Sequence, residues 1–385
     1  MAEVLAPRAI LDALVGFPTV SRDSNLPLID WVEAYLTGHG IVCHRHYNED
    51  REKAGLFAHV GPEAPGGVVL SGHTDVVPVD GQPWASDPFT VTERDGKLYG
   101  RGTTDMKGFD ALAVWAMVEA QRRGVTRPLQ IALSYDEEVG CTGAPPLIEA
   151  MAHLPRATDV IVGEPTMMKA VTGHKGGVTY WVHVHGFEVH SSILHKGVSA
   201  IMYGAKLIDW ANQLNAKLSA ETPGGMAALF DPPYTNAHVG QIHGGTAHNI
   251  AAKDCEFGFG FRIVPGEAPD DWRRLFRDKV AEIEAEMQAV RPEAWIEVKE
   301  TFALPPFAPS ENNAAEALVR QITGDNSENF VSYGTEASHF QAAGCMAVVC
   351  GPGNIAVAHQ PDEYITVAQF EAGQRFMEDL LARLA

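Results

Sequence analysis

Short apolar runs alternate with helical stretches along the first half of the chain, and this alternation restricts the fold more than any other feature. Gly55–Val60, Val68–Ser71, Leu129–Tyr135 and Asp159–Val162 each read as a β-strand. Between the second and third runs lies a nearly all-apolar helix, about residues 108–123, closed by Arg122, Arg123 and Gly124. Basic residues and Gly are favoured at a helix C-terminus. Residues 9–38 read as helical on either side of a turn at Pro18. Such alternation predicts an α/β domain whose mixed, mostly parallel sheet carries helices on both faces.

The pattern changes near residue 176. Val178–His185 reads as a strand, and Cys255–Arg262 alternates with Phe257, Phe259 and Phe261 on one face. Helices are predicted over 198–218 and 270–290, and another strand over 294–301. Two helices on an antiparallel sheet make an α+β layer. Leu304–Pro309 is a Pro-rich return, Ser310 reads as the cap of a helix ending at Gly324, and Met346–Cys350 as a buried strand. Thr366 and Gln369 open a C-terminal helix with a capping-box pattern. A chain of 385 residues exceeds one ordinary core. The expectation is a discontinuous α/β domain, 1–175 plus 304–385, with an α+β insert at 176–303.

Charge excludes some partners. With 29 Lys and Arg against 49 Asp and Glu, the formal charge is −20, the wrong sign for nucleic acid or an anionic membrane. No run approaches the roughly 18 consecutive apolar residues that span a bilayer. Met1–Arg8 has no basic stretch followed by an apolar one, so no secretion signal is expected. Cys43, Cys141, Cys255, Cys345 and Cys350 form no Cys-x-x-Cys, which predicts reduced thiols in a cytoplasm. Any metal site must therefore be built from His and carboxylates.

Five motifs carry such groups at strand ends or in the loops after them. They are Ser71-Gly-His73-Thr-Asp75, Gly100–Gly108 with Asp105, Ser134–Gly140 with Glu137 and Glu138, Val162-Gly-Glu164-Pro-Thr166, and Val357-Ala-His359. Each has an ordinary alternative. His73 can be a surface His beside a turn, Asp105 a helix cap, and Glu137 and Glu138 a solvated acidic loop. Glu164 can sit in a turn, and His359 in a capped loop. Together they favour one site, because parallel α/β sheets bind ligands beyond the carboxyl ends of their strands. His73, Asp105, Glu138, Glu164 and His359 would form a nitrogen and oxygen donor set suited to two divalent metals sharing a carboxylate.

In this order and spacing the motifs resemble the metallopeptidase M20 family of co-catalytic zinc amidohydrolases. The resemblance rests on Ser71–Pro78, Gly100–Gly108, Asp136–Gly140, Gly163–Thr166, Gly186–Ser192 and His359–Glu363, and covers essentially the whole chain. It implies that His73 and Glu164 bind one metal, Glu138 and His359 the other, and that Asp105 bridges them. It further implies that Asp75 orients His73, that Glu137 is the general base, and that the Asp105–Met106 peptide is cis. The metals would be zinc, with cobalt able to substitute.

The insert would be a lid that pairs two subunits, with His190 reaching the partner's site and Asn249 and Arg262 holding the substrate carboxylate. Many family members carry a Pro after the Ser191-Ser192 pair, where this chain has Ile193. The implied substrate is a small N-acyl amino acid. Val331–Ala337 is similar to the branch acting on N2-acetyl-L-ornithine, which gives acetate and ornithine in arginine biosynthesis. Succinyl-diaminopimelate and dipeptides are the alternatives within the family. A catalytically silent metal-binding protein is the alternative of another class.

Overall fold

The computed structural model describes residues 3–385. They fall into two compact units. The first takes the chain to Thr172, then Pro309–Asn329 and Thr335–Ala385, and the second takes Gly173–Ala308 and Phe330–Gly334.

Among the described residues three sheets form. The largest has eight strands in the order β1 (Cys43–Tyr47), β2 (Ala54–Val60), β6 (Leu129–Ser134), β3 (Val68–His73), β7 (Asp159–Pro165), β14 (Met346–Gly351), β8 (Val171–His174) and β13 (Asn329–Val331). Its centre, β6-β3-β7-β14, is parallel, as the strand and helix alternation predicts. On one side β1 and β2 are antiparallel additions, and on the other β8 runs antiparallel to β14. Every residue of β3, β6 and β7 is buried, as a sheet covered on both faces requires. The helix Lys107–Arg123 is buried all round from Lys107 to Ala120. It packs between β3 and β6 on one side and the helices Pro7–Val15 and Val367–Leu384 on the other. A small antiparallel sheet, β15 (Tyr364–Thr366), β5 (Lys97–Tyr99) and β4 (Thr92–Arg94), lies in the same unit.

Thr366 caps the last helix by accepting the Gln369 N–H at 3.1 Å, as its sequence signal predicts. The cap expected at Ser310 is elsewhere. That helix is Ala314–Thr323, and the Asn313 side chain accepts the Glu316 N–H at 3.1 Å. Asn312, in the left-handed region at φ 55°, turns the chain between the two candidates, and Ser310 instead accepts from Gln341.

The second unit holds a sheet in the order β10 (Asn236–Gly244), β11 (Asp254–Ile263), β9 (Gly176–His185) and β12 (Trp295–Leu304), every neighbour antiparallel. Phe257, Phe259 and Phe261 are buried against the helices Ala200–Ala220 and Pro269–Val290. Phe276 stacks on Phe259 at 4.6 Å and on Tyr180 at 4.5 Å. Offset ring pairs of this kind add to plain area burial. Among the described residues no helix is long and apolar enough to cross a membrane.

Strands β7 and β14 of the first unit meet unusually closely at one point. The ladder between them breaks between Val349 and Gly351. A Cβ on Gly351 would lie 1.9 Å from the Gly163 carbonyl oxygen and 2.6 Å from that of Glu164. Both obstacles are backbone, so the strands must part to admit a methyl group. Gly351→Ala is expected to lower stability by about 1–3 kcal/mol, the usual cost of overpacking. Thermal unfolding followed by circular dichroism checks this, and an unchanged melting temperature would mean the strands separate freely.

Candidate metal centre

The parallel strands deliver the motifs to one edge. His73 is the last residue of β3, Glu137 and Glu138 follow β6, Glu164 is next to last in β7, and His359 comes shortly after β14. His73 Nε2 is 3.2 Å from Asp105 Oδ1 and 3.7 Å from Glu164 Oε1. His359 Nε2 is 3.1 Å from Asp105 Oδ2 and 3.1 Å from Glu138 Oε2. Asp105 thus turns one oxygen to each imidazole. Asp105 does not cap the helix after it, whose cap position is Met106, so that alternative falls away. The Asp105–Met106 peptide is cis.

Each group is held by others. His73 Nδ1–H donates to the backbone oxygen of Asp75 at 2.9 Å, which leaves Nε2 to face the site. The Asp75 carboxylate sits 3.7 Å from that ring and does a different job. It accepts the N–H groups of Glu137 and Glu138 at 3.1 and 3.3 Å, and the Ser21 hydroxyl at 2.7 Å. It therefore ties the loop after β3 to the loop after β6. Asp136, at φ 58°, starts that second loop and pairs with Lys53. His359 is also left-handed, at φ 63°, a conformation a non-Gly residue keeps only where its surroundings enforce it.

The electrostatics call for positive charge. Burial pushes Glu137 up to about 8, with His73 opposing and Glu138 adding. Burial and then Asp105 push Glu138 up to about 6, and burial, Asp105 and Glu137 raise Glu164 well above its ordinary value. Hydrogen bonds to Asp105 and Glu138 raise His359 to about 10. For His73, burial opposes the charge, but Asp105 and Glu164 outweigh it and the pKa rises. Burial likewise works against Asp105, yet His359 and His73 hold it below the carboxylate range. Glu138 Oε1 is buried with no hydrogen-bond partner. His73, Asp105 and Glu138 offer donor atoms within 4.8 Å of one another, and so do His73, Glu137 and Glu164. Crowded carboxylates, an orphaned oxygen and two imidazoles fit divalent cations by the chemistry of the donor set.

The remaining expected residues lie in the second unit. His190 Nδ1 accepts the Ser192 N–H at 3.2 Å and lies 2.8 Å from its hydroxyl, so Nε2 carries the proton and is free to donate. Asn249 is beside it, its backbone oxygen accepting the Ser191 N–H at 2.9 Å. Arg262 is near the other end of β11, paired with Gly177 of β9. At roughly 3.3 Å per residue it stands about 26 Å along that strand from Asp254.

Two carboxylates escape a reading of the sequence. Glu363 is 1% exposed, and its Oε1 accepts the N–H groups of Thr104 and Asp105 at 2.9 and 3.1 Å. Its Oε2 pairs with buried Arg101 at 2.6 Å. Arg101 also donates to Gln82 at 2.7 Å, and Gln82 donates to the His359 carbonyl at 3.0 Å. Asp105 and His359 are thereby fixed by one network. Glu336 reaches both β3 and β6, accepting from Ser134 and, at 3.4 Å, from Ser71. Burial pushes it up to about 7. The only sequence sign of either residue is its place inside a motif that stands out for other positions.

Comparison with known proteins agrees in extent. Residues 69–383 match peptidase family M20/M25/M40. An acetylornithine deacetylase from Myxococcus xanthus is 37% identical over 378 residues, covering 94% of this chain and 93% of that protein. The M20 family metallo-carboxypeptidase Sso-CP2 from Sulfolobus solfataricus has a similar fold, with TM-score 0.78, 18% identity, and 99% of each chain covered. So has the Bacillus subtilis YXEP protein, a dinuclear metal-binding peptidase, with TM-score 0.68, 14% identity, and 98% and 97% covered.

The network around Glu363 is testable by itself. Removing one partner of a buried ion pair strands the other charge and costs about 3–5 kcal/mol. Glu363→Ala should show that loss in chemical denaturation. A loss under about 1 kcal/mol, the value of an exposed pair, would show that Arg101 is not dependent on it.

Proposed function

Because the chain belongs to peptidase family M20/M25/M40, we propose that it hydrolyses the amide bond of N2-acetyl-L-ornithine, giving acetate and L-ornithine. The observation that carries the reading is Asp105, set between the His73 and His359 rings and ringed by buried carboxylates. The near-full-length likeness to an acetylornithine deacetylase supports the substrate.

Two divalent cations, zinc by preference and cobalt as a substitute, would supply an acidified water and polarise the amide carbonyl when held by His73, Glu164, Glu138, His359 and a shared Asp105. Glu137 takes a proton from the attacking water as the oxygen joins the carbonyl carbon. It passes that proton to the nitrogen as the C–N bond breaks, so acid and base are one residue. Its position supports this role, since Asp75 anchors its backbone and the Cys141 thiol donates to its Oε1 at 3.2 Å. His190, with Nε2–H free, donates to the carbonyl oxygen as charge builds there. Asp75 positions the Glu137–Glu138 loop and His73.

The second unit serves as a lid and pairs two chains, His190 reaching the partner's site, while Asn249 and Arg262, which lie at opposite ends of the sheet, take the substrate carboxylate from different chains of the pair. Strand β10 supports the pairing. Among the described residues it ends its sheet with one side unpaired, and Ile242 is exposed on it. Sedimentation should give the mass of two chains, and a monomer at working concentration would remove His190 from the site. Five unpaired cysteines favour a reducing cytoplasm.

The function test is a panel of acetylornithine, other N-acetyl amino acids, succinyl-diaminopimelate and dipeptides with zinc-loaded protein. Acetylornithine should have the highest kcat/KM. Preference for another member would move the substrate within the family, and no turnover of any would leave a silent metal-binding protein. Glu137→Gln should keep its metal yet lose at least about a thousandfold in kcat, and substantial residual turnover would remove Glu137 as the base.

A further inference from the structure

The sheet of the second unit carries a second His and carboxylate cluster that shares no residue with the first. Strand β9 alternates. Val182 and Val184 are buried, while His183 and His185 lie together on the opposite face. Register places His183 between Glu256 of β11 and Glu297 of β12, and His185 between Asp254 and Trp295. His243 of β10 stands opposite Glu256.

The donor atoms converge. Asp254 Oδ1 is 3.0 Å from His183 Nε2 and 3.8 Å from His185 Nδ1, so one carboxylate oxygen faces both rings. The three residues offer ligand atoms within 4.8 Å of one another. Outer carboxylates stand near the other ring nitrogens without bonding them. Glu256 Oε1 is 3.4 Å from His183 Nδ1, and Glu297 Oε2 is 3.7 Å from His185 Nε2. His185 Nε2 is also buried without a hydrogen-bond partner. The ring centroids are 3.7 Å apart, and His185 stacks on Trp295 at 4.1 Å and 8°.

Asp254 turns the same oxygen to Nε2 of His183 and Nδ1 of His185, so these two nitrogens converge on one point. Neutral rings each keep one lone pair, and two lone pairs beside a carboxylate are a borderline metal ligand set. Glu256 and Glu297 then stand where metal-bound imidazoles usually find their orienting carboxylates.

We propose that His183, His185 and Asp254 form a site for a divalent transition-metal cation of the zinc class, separate from the catalytic donor set. The site asks nothing of the catalytic reading, and either can fail alone.

The test uses the full chain, stripped of metal and dialysed against zinc at fixed free concentration. Elemental analysis should find about one more zinc per chain in the wild type than in His183→Asn/His185→Asn, with hydrolysis of acetylated substrate unchanged. Asp254→Asn keeps both rings and should also lose that zinc, which covers the case of a double variant that folds poorly. Copper should quench Trp295 emission in the wild type, and the quench should disappear in the double variant and in Trp295→Phe. Equal zinc in wild type and both variants, or a quench that survives loss of both rings, overturns the proposal.

Discussion

Asp105 faces His73 with one oxygen and His359 with the other, and the first unit is arranged around that carboxylate. Four acids, Asp105, Glu137, Glu138 and Glu164, crowd around the buried ring of His73 and the half-exposed ring of His359. Buried like charges are costly, and the rise of Glu137, Glu138 and Glu164 above their ordinary values expresses that cost. The two imidazoles only partly offset it. A pair of divalent cations is the counter-charge this geometry accommodates.

The donor side chains lie within hydrogen-bond distance of one another, and their placement must be fixed from outside the cluster. The constraint is met by backbone contacts. Asp75 fixes the amides of Glu137 and Glu138, and Glu363 those of Thr104 and Asp105. Arg101 and Gln82 carry the same restraint on to the His359 carbonyl. Gly351 lets β14 and β7 meet beside Glu164, and Gly163 makes room for the Phe109 ring of the buried helix. The parallel sheet makes this economical, since four strand ends bring distant segments together without long loops.

Much of this was legible in the chain. The apolar runs marked the central strands because a doubly covered sheet needs unbroken apolar segments. Phe257, Phe259 and Phe261 marked a one-sided strand by their period. His73, Glu138 and Glu164 stood out because each followed such a run, and Asp105 because it lies in a Gly-rich loop just before the buried helix. Other features lacked a local signal. Strand β10 mixes Gly, His and Gln and is mostly exposed, so nothing in its periodicity declares it. Asn313 rather than Ser310 caps its helix because a left-handed turn at Asn312 intervenes. The roles of Glu363 and Glu336 depend on partners more than 200 residues away in sequence. That His73 leans on the Asp75 backbone, and not its carboxylate, is a matter of ring placement that residue spacing does not encode.

The central claim is that one carboxylate is shared by two cations. It is tested most directly by anomalous scattering at the zinc edge from crystals of the zinc-loaded protein. Two peaks are predicted in the first unit, one where Asp105 Oδ1 faces His73 and one where Oδ2 faces His359. A single peak there, or two peaks that leave Asp105 uncoordinated, would contradict the account.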